Sequence, residues 1–439
     1  MFIYEVMKNL WSDRTVLYNS EYEKAQKMDI SDLYNKIILS VRNIKNKIHF
    51  YDSDYLSATM LVSTGCCHQK KNACLSGCSM CDYYSDQIPE LAMINALKDR
   101  DSELYKQAVL YSFTNTRGNK IIPKAIETVT TYNIFDKEAF PPDLFDTIFL
   151  SDKTFTHRPL KMKFETRAPL VDKNTIYDLS KKLGHRVSVS MGVETGCEWI
   201  RNHWLNKNIY NHELKTCVDN VHSVGWRAIG NLIIGIPGFT ENQTVKICRD
   251  SILWMSELGF DEIVVSPLVR KNLTLQNYIF NNLKNNTTLS DVGLVNGEHT
   301  GMPFIYTVLR VLYPFLTKEI KIKSVLDLSV FHFPLYKSII GNYYKNKGIQ
   351  CDLYEILDAL TGFERVKDIK IINQVRRFTE KQNYNDIYSD IIDRQASIRN
   401  SRHSLELISE KIAESMFPDS YGEKTEGFKD ELDELSDYF

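Results

Sequence analysis

Nowhere in these 439 residues does an apolar run approach the roughly 18 residues that a membrane span needs, so no membrane partner is expected. The opening Met-Phe-Ile-Tyr-Glu lacks a basic region followed by an apolar stretch of signal-peptide type, which leads us to expect a cytoplasmic chain. Net charge is nearly absent too. Fifty-four Lys and Arg against 56 Asp and Glu leave −2 at pH 7, and this excludes a generally polycationic nucleic-acid binder. No repeat at solenoid spacing is found. What is present, 43% hydrophobic and 25% charged residues, excludes wholesale disorder. The charge is unevenly spread: Asp419 to Phe439 holds eight acids and two lysines, so this acidic tail carries −6 and the rest of the chain +4.

Residues 1–56 mix charge with spaced apolar positions (Leu33, Ile37, Ile38, Val41, Ile44, Ile48) and are predicted to be a helical extension. From about Ser57 strand-like runs alternate with amphipathic stretches. The strand candidates are Thr59–Ser63, Glu127–Tyr132, Lys161–Thr166, Arg186–Gly192, Ala228–Gly235 and Glu262–Ser266. Helix candidates lie between them at Pro89–Ala108, Lys173–Leu183, Asn211–Val224 and Thr244–Leu258. Repeated βα units of this kind predict an α/β fold, a partial (β/α)6 TIM-type barrel over 57–275 with helical N- and C-terminal extensions. In such barrels the chemistry sits on loops at the C-terminal ends of strands. Asn281–Asn286 is predicted to be a surface loop, and 303–415 returns to helical periodicity. A basic patch there (Arg365, Lys367, Lys370, Arg376, Arg377, Lys381) reads as a solvated helix face.

The nine cysteines stand at 66, 67, 74, 78, 81, 197, 217, 248 and 351, five of them within sixteen residues. In a reducing compartment such clustering points to a metal or to catalysis rather than to disulfides. Cys74, Cys78 and Cys81 form C-x-x-x-C-x-x-C on the loop after the first strand candidate, with Gly77 allowing a tight turn between ligands. Soft thiolates select zinc, copper(I) or iron–sulfur clusters. A structural zinc needs four closed ligands, which Cys66, Cys67 or His68 could complete, but the paired C-x2-C spacing of common zinc modules is missing. A cubane cluster held by three thiolates leaves one iron open.

C-x3-C-x2-C after a first strand resembles the signature of the radical S-adenosylmethionine (SAM) superfamily, with Met80 where an aromatic residue is frequent. Three later segments continue the likeness: Phe164-Glu165-Thr166-Arg167; Met191-Gly192-Val193-Glu194-Thr195-Gly196 with Asn206-Lys207; and Ile234-Gly235-Ile236-Pro237-Gly238. They are similar to the third-, fourth- and fifth-strand motifs of the branch with oxygen-independent coproporphyrinogen oxidase and the elongator catalytic subunit. The resemblance implies a [4Fe–4S] cluster on Cys74, Cys78 and Cys81, whose open iron is chelated by SAM. It implies Met80 contacting SAM through its backbone, Glu165 and Glu194 at the ribose, Lys207 near the methionine carboxylate, and Gly235 and Gly238 where backbone approaches the ligand. In the coproporphyrinogen enzyme's pattern the Lys207 position is Arg and the Glu194 position Gln. An electron donor such as flavodoxin or ferredoxin is implied as well.

Over about 59–312 the chain most resembles the archaeosine-type tRNA-modifying enzymes. This rests on Thr64-Gly65-Cys66, Cys78-Ser79-Met80-Cys81-Asp82-Tyr83, Asn133-Ile134-Phe135-Asp136-Lys137-Glu138 and Glu165-Thr166-Arg167. A modified nucleoside in tRNA is therefore one implied substrate. Against it stand the neutral charge and Asn133-Ile134-Phe135 in place of that family's Gly-Ser-Phe, which leave a small-molecule or peptide intermediate as the alternative. The scattered later cysteines leave no auxiliary-cluster domain, and Cys197, beside the Glu194 motif, reads as a structural cysteine. A zinc-stabilised interaction module is the non-enzymatic alternative.

Overall fold

The computed structural model describes residues 1–44, 56–60, 63–71, 74–117, 126–130, 133–150, 159–332, 349–380 and 384–437. Ile48, Lys381 and residues 61–62 and 131–132 of the first two strand candidates lie outside them. The strands are β1 Leu56–Met60, β2 Lys70–Lys71, β3 Cys74–Leu75, β4 Ile126–Thr130, β5 Lys161–Thr166, β6 Val187–Glu194, β7 Arg227–Ile234, β8 Glu262–Pro267 and β9 Val325–Asp327. Seven of them form one sheet in the order β1-β4-β5-β6-β7-β8-β9, with every neighbouring pair parallel. Each strand is added beside its predecessor, the winding of a singly wound barrel, and β1 and β9 are its edges among the described residues. The chain is thus an α/β partial barrel with helical extensions. Among the described residues no helix is long and apolar enough to cross a membrane.

The strands follow from their side-chain alternation. In β5, Met162, Phe164 and Thr166 are buried while Lys161 is exposed. Phe164 then packs edge-on against Phe135, Phe145 and Phe149, with ring centroids 6.0, 5.6 and 5.1 Å away. The central β6 and β7 are buried along most of their length, as parallel strands covered on both faces require. Helix Lys173–Leu183, capped by Asp172, joins β5 to β6, and helix Asn211–Ser223 joins β6 to β7; helix Glu241–Leu258, opened by a Thr240/Gln243 capping box, follows β7.

The structure departs from the sequence expectations at three places. The stretch 89–108 is two helices, Ile88–Arg100 and Ser102–Arg117, because Asp101 turns extended and its carboxylate caps the second helix through the amides of Glu103 and Leu104. Asn281 and Asn282 belong to helix Leu275–Leu283, and Asn286 caps the short helix Thr287–Asp291. Nor does the sheet stop near 275: β9 pairs with β8, and helix Ile305–Leu316, buried at every position but Arg310, packs on helix Glu241–Leu258.

The acidic tail is folded. Helix Tyr421–Asp433 buries Phe428 and Leu432 in a second core with Phe2, Trp199 and Trp204. Glu431 accepts from the Phe2 amide at 2.7 Å and lies 3.0 Å from His203 Nδ1, while its carbonyl accepts from Trp199 Nε1 at 2.9 Å. Glu431 thus ties the tail to the N-terminal helix and to His203.

Candidate functional site

Strand β6 ends in a break of register: Gly192 pairs with Asn231, and after the shift Glu194 pairs with Leu232. At that point Glu194 enters the left-handed region, φ +68°, which a glutamate rarely occupies. The turn brings its carboxylate back over Gly192, where Oε1 lies 2.7 Å from Lys207 Nζ. Both side chains are 9% exposed. A Cβ at Gly192 would strike Glu194 Oε1 and fall 2.6 Å from Lys207 Nζ, so only glycine admits the pair. Burial pulls the Lys207 ammonium down, but Glu194 and the Cys78 thiolate outweigh it and hold its pKa above the ordinary lysine value.

Lys207 is presented by a short irregular segment. Asn206 and Asn208 both stand at φ +51°, a conformation asparagine tolerates better than most residues. Arg167, just past β5, donates from Nη2 to the carbonyls of Lys207 (2.6 Å) and Asn208 (3.1 Å). Asn206 joins this segment to the cysteine loop. Its Nδ2 donates to Gly77 O at 2.7 Å, and its carbonyl lies 2.5 Å from His68 Nε2. Ser79 adds its amide to Leu205 O (2.9 Å) and its hydroxyl to Trp204 O (3.0 Å).

Cys78 and Cys81 lie on this docked loop. The charges facing Cys78 are those of Lys207, Arg167, Cys66 and Glu194, and the thiols facing Cys81 are Cys78 and Cys66. Burial pushes the Cys78 thiol up and the Cys81 thiol up to about 12. Cys66 is the other thiol whose charge faces both of them. Asn133 Nδ2 donates to Cys66 Sγ and to Cys67 Sγ, 3.5 Å each, while its Oδ1 accepts from the Arg167 amide at 3.0 Å. A hydrogen bond from the Cys67 thiol, with Arg167 nearby, draws Cys66 down to about 5. Cys74 sits on β3 of a two-stranded hairpin, opposite Lys71. Among the described residues no three His, Cys, Asp or Glu side chains converge on one point as metal ligands. The cysteines of this loop are the residues here with the soft donors for a zinc, copper(I) or iron–sulfur centre.

The other candidates lie around the same strand ends. Glu165, next to last in β5, is half-buried, its carbonyl accepts from the Ile134 amide at 3.1 Å, and its charge faces the Tyr83 hydroxyl. Met80 packs against the second core, between Ser79 and Cys81. Gly235 and Gly238 follow β7, but protein fills the space of their missing side chains. A Cβ at Gly235 would lie 2.6 Å from Pro303 Cδ, and one at Gly238 3.0 Å from Ile408 Cγ2. Cys197 is half-buried one turn beyond Glu194, and burial pushes its thiol up. Sequence reasoning assigned no role to Cys66 or Asn133; the signals available were the Thr64-Gly65-Cys66 lead-in and the exchange of Asn133 for a glycine.

No family model matches the chain. Over 324 residues it is 22% identical to an uncharacterised protein of Methanocaldococcus jannaschii, a match spanning 72% of this chain and 78% of the other. Among solved structures it is similar to the radical S-adenosylmethionine methyltransferase TsrM of Kitasatospora setae with tryptophan substrate and a SAM analogue bound. That likeness has a TM-score of 0.30 and 14% identity, over 49% of this chain and 36% of the other. Methylornithine synthase (PylB) is similar at a TM-score of 0.35 and 12% identity, over 70% and 73% of the two chains. The chain thus spans about a third of the TsrM structure's length.

Proposed function

We propose that this chain is a radical SAM enzyme, with a [4Fe–4S] cluster held by Cys66, Cys78 and Cys81 and SAM bound beside it by Glu194, Lys207 and Glu165. One observation carries the reading: the loop of Cys78 and Cys81 is docked through Asn206 and Ser79 onto the segment that presents Lys207, beside the buried Glu194–Lys207 pair at the C-terminal end of β6. The donor set fits the group. Three soft thiolates suit an iron–sulfur cluster with one open iron, and one anionic and one cationic side chain suit a ligand bearing both charges. Cys74 is the competing third ligand by its C-x3-C-x2-C spacing.

When bound, the cluster and SAM supply a 5′-deoxyadenosyl radical that removes a hydrogen atom from an unreactive C–H bond. The chain's own part is positional. Lys207 offers a cation for the methionine carboxylate, and Glu194 and Glu165 accept from the ribose hydroxyls. Arg167 fixes the Lys207 segment and, through Asn133, the Cys66 thiol.

For the substrate we favour a modified nucleoside in tRNA, by the archaeosine-type motifs. Arg365, Lys370 and Arg376 are exposed on the C-terminal helices, where phosphates could reach them. A small-molecule or peptide intermediate is the other reading, supported by the chain's neutral charge.

Anaerobically reconstituted protein should hold about four irons and four sulfides per chain and release 5′-deoxyadenosine from SAM with reductant. Bound zinc with no SAM cleavage overturns the enzyme reading. Binding of tRNA that does not weaken with salt, or no binding, overturns the tRNA reading.

A further inference from the structure

Between Glu194 and Lys207 the chain makes a π-helical turn, Ile200–Trp204, closed by the Leu205 amide bonding to Ile200 O at 2.8 Å. Such turns are rare and concentrate at functional sites. Within it Arg201 is completely buried. An unpaired buried guanidinium is costly, so where its five donors go is informative. Five of its six contacts are to main-chain carbonyls. Nε reaches Val193 O and Thr195 O, both at 3.2 Å, and Nη2 reaches Thr195 O at 2.7 Å and Gly196 O at 3.4 Å. Nη1 reaches Ile209 O at 3.2 Å and Asn211 Oδ1 at 2.9 Å. The carbonyl of Arg201 itself accepts from the Lys207 amide at 3.0 Å.

These contacts bracket both partners of the ion pair. Val193 and Thr195 flank Glu194, whose left-handed backbone persists only where the surroundings over-determine it. Ile209 lies two residues beyond Lys207, and the Lys207 amide hangs on Arg201 itself. One planar fork thus ties the end of β6 to the segment that presents Lys207. A lysine, a point donor on a flexible stem, could not span these acceptors.

We infer that Arg201 is a positioning residue: it holds Glu194 in its left-handed turn and Lys207 in register with it, so that the two present a preset carboxylate–ammonium pair to SAM. This rests on the proposed SAM-binding role of the pair. The inference adds that the pair's geometry is imposed by a third residue that does not itself touch the ligand.

The test uses full-length protein reconstituted anaerobically with iron and sulfide. Arg201→Lys should keep wild-type iron content and lose about tenfold in SAM affinity by equilibrium dialysis. Glu194→Gln should lose a similar factor, and the double variant no more than the larger single loss, because Arg201 acts through Glu194. Wild-type affinity in Arg201→Lys, or losses that multiply, overturn the inference. A second readout needs no SAM. In ligand-free protein Arg201→Lys should speed amide hydrogen exchange at 193–196 and 205–209 about tenfold, with β7 and β8 amides unchanged. Uniform acceleration, or none, overturns positioning. Selective acceleration in a protein whose wild type binds no SAM refutes the proposed function and leaves the positioning intact. Should Arg201→Lys not fold, Asn211→Ala removes one of the six contacts, and it should speed exchange selectively at 207–209; failure to do so counts against the inference equally.

Discussion

Lys207 Nζ and Glu194 Oε1 meet 2.7 Å apart in the interior, directly over Gly192, the residue whose missing side chain makes room for them. Thirteen residues separate the partners, and a register shift, a left-handed glutamate and a π-helical turn lie along the way. Irregularity is concentrated where the charges are, as expected where backbone strain serves a site.

Breaking this pair from one side should be worse than replacing both partners. Lys207→Met leaves a buried carboxylate without its cation, and about 3 kcal/mol of stability should be lost in urea unfolding. The double variant Lys207→Met/Glu194→Leu should recover a large part of it. Equal losses in single and double variants would show that the pair's charge is not what matters.

Gly192→Ala tests the space rather than the charge. Its methyl group would displace Glu194 Oε1 and Lys207 Nζ, while the cysteine loop is untouched. Iron content should stay at the wild-type level and SAM affinity should fall about tenfold or more, read by equilibrium dialysis. Retained affinity would mean that the pair tolerates rearrangement.

The cysteine loop distinguishes two ligand sets. Cys66→Ala should abolish cluster incorporation, measured as iron per chain and visible absorbance, whereas Cys74→Ala should retain it. The opposite result would restore the C-x3-C-x2-C assignment and mean that the loop refolds around the cluster. Cys351→Ala, at an exposed position, should change neither.

Glu241, buried at the start of its helix, accepts from the Thr307 hydroxyl, and burial pushes its carboxyl up to about 7. The folded form therefore binds a proton that the unfolded chain has released above its ordinary value of 4.5. Its contribution to stability is full below about 4.5 and is lost as pH rises through about 7, at about 1.4 kcal/mol for each unit of separation. Glu241→Gln should flatten the decline in urea-unfolding stability between these limits. An unchanged slope would place the titration elsewhere.

Glu431→Ala removes the acceptor of the Phe2 amide and the neighbour of His203. The melting temperature should drop by roughly 2 to 4 °C. Because Trp199 bonds to the Glu431 carbonyl and not its side chain, the tail should stay helical by circular dichroism.

The barrel was legible because its signal is local. Alternation in Lys161–Thr166 and apolar runs such as Ala228–Gly235 mark strands wherever they occur, and amphipathic stretches between them imply parallel pairing. Glu194 and Lys207 were legible by their resemblance to family motifs. The surroundings of the thiols were not. Spacing groups Cys74 with Cys78, four residues later, whereas a two-residue hairpin strand pairs Cys74 with Lys71, and His68 and Gly77 of the cysteine loop are held by Asn206, far along the chain. The docking of the acidic tail was not legible from its charge: Phe428 and Leu432, on one helical face, are what it buries.

By itself the sequence determined the periodicity of the strands, the cluster of thiols and the residue types at the strand ends, because each is encoded within a few neighbouring positions. Only the tertiary structure decided which segment the cysteine loop docks on, why residue 192 is glycine, and where the donors of Arg201 go. These depend on contacts between segments far apart in the chain, where burial turns a carboxylate, an ammonium and a guanidinium from solvated charges into groups that must find one another.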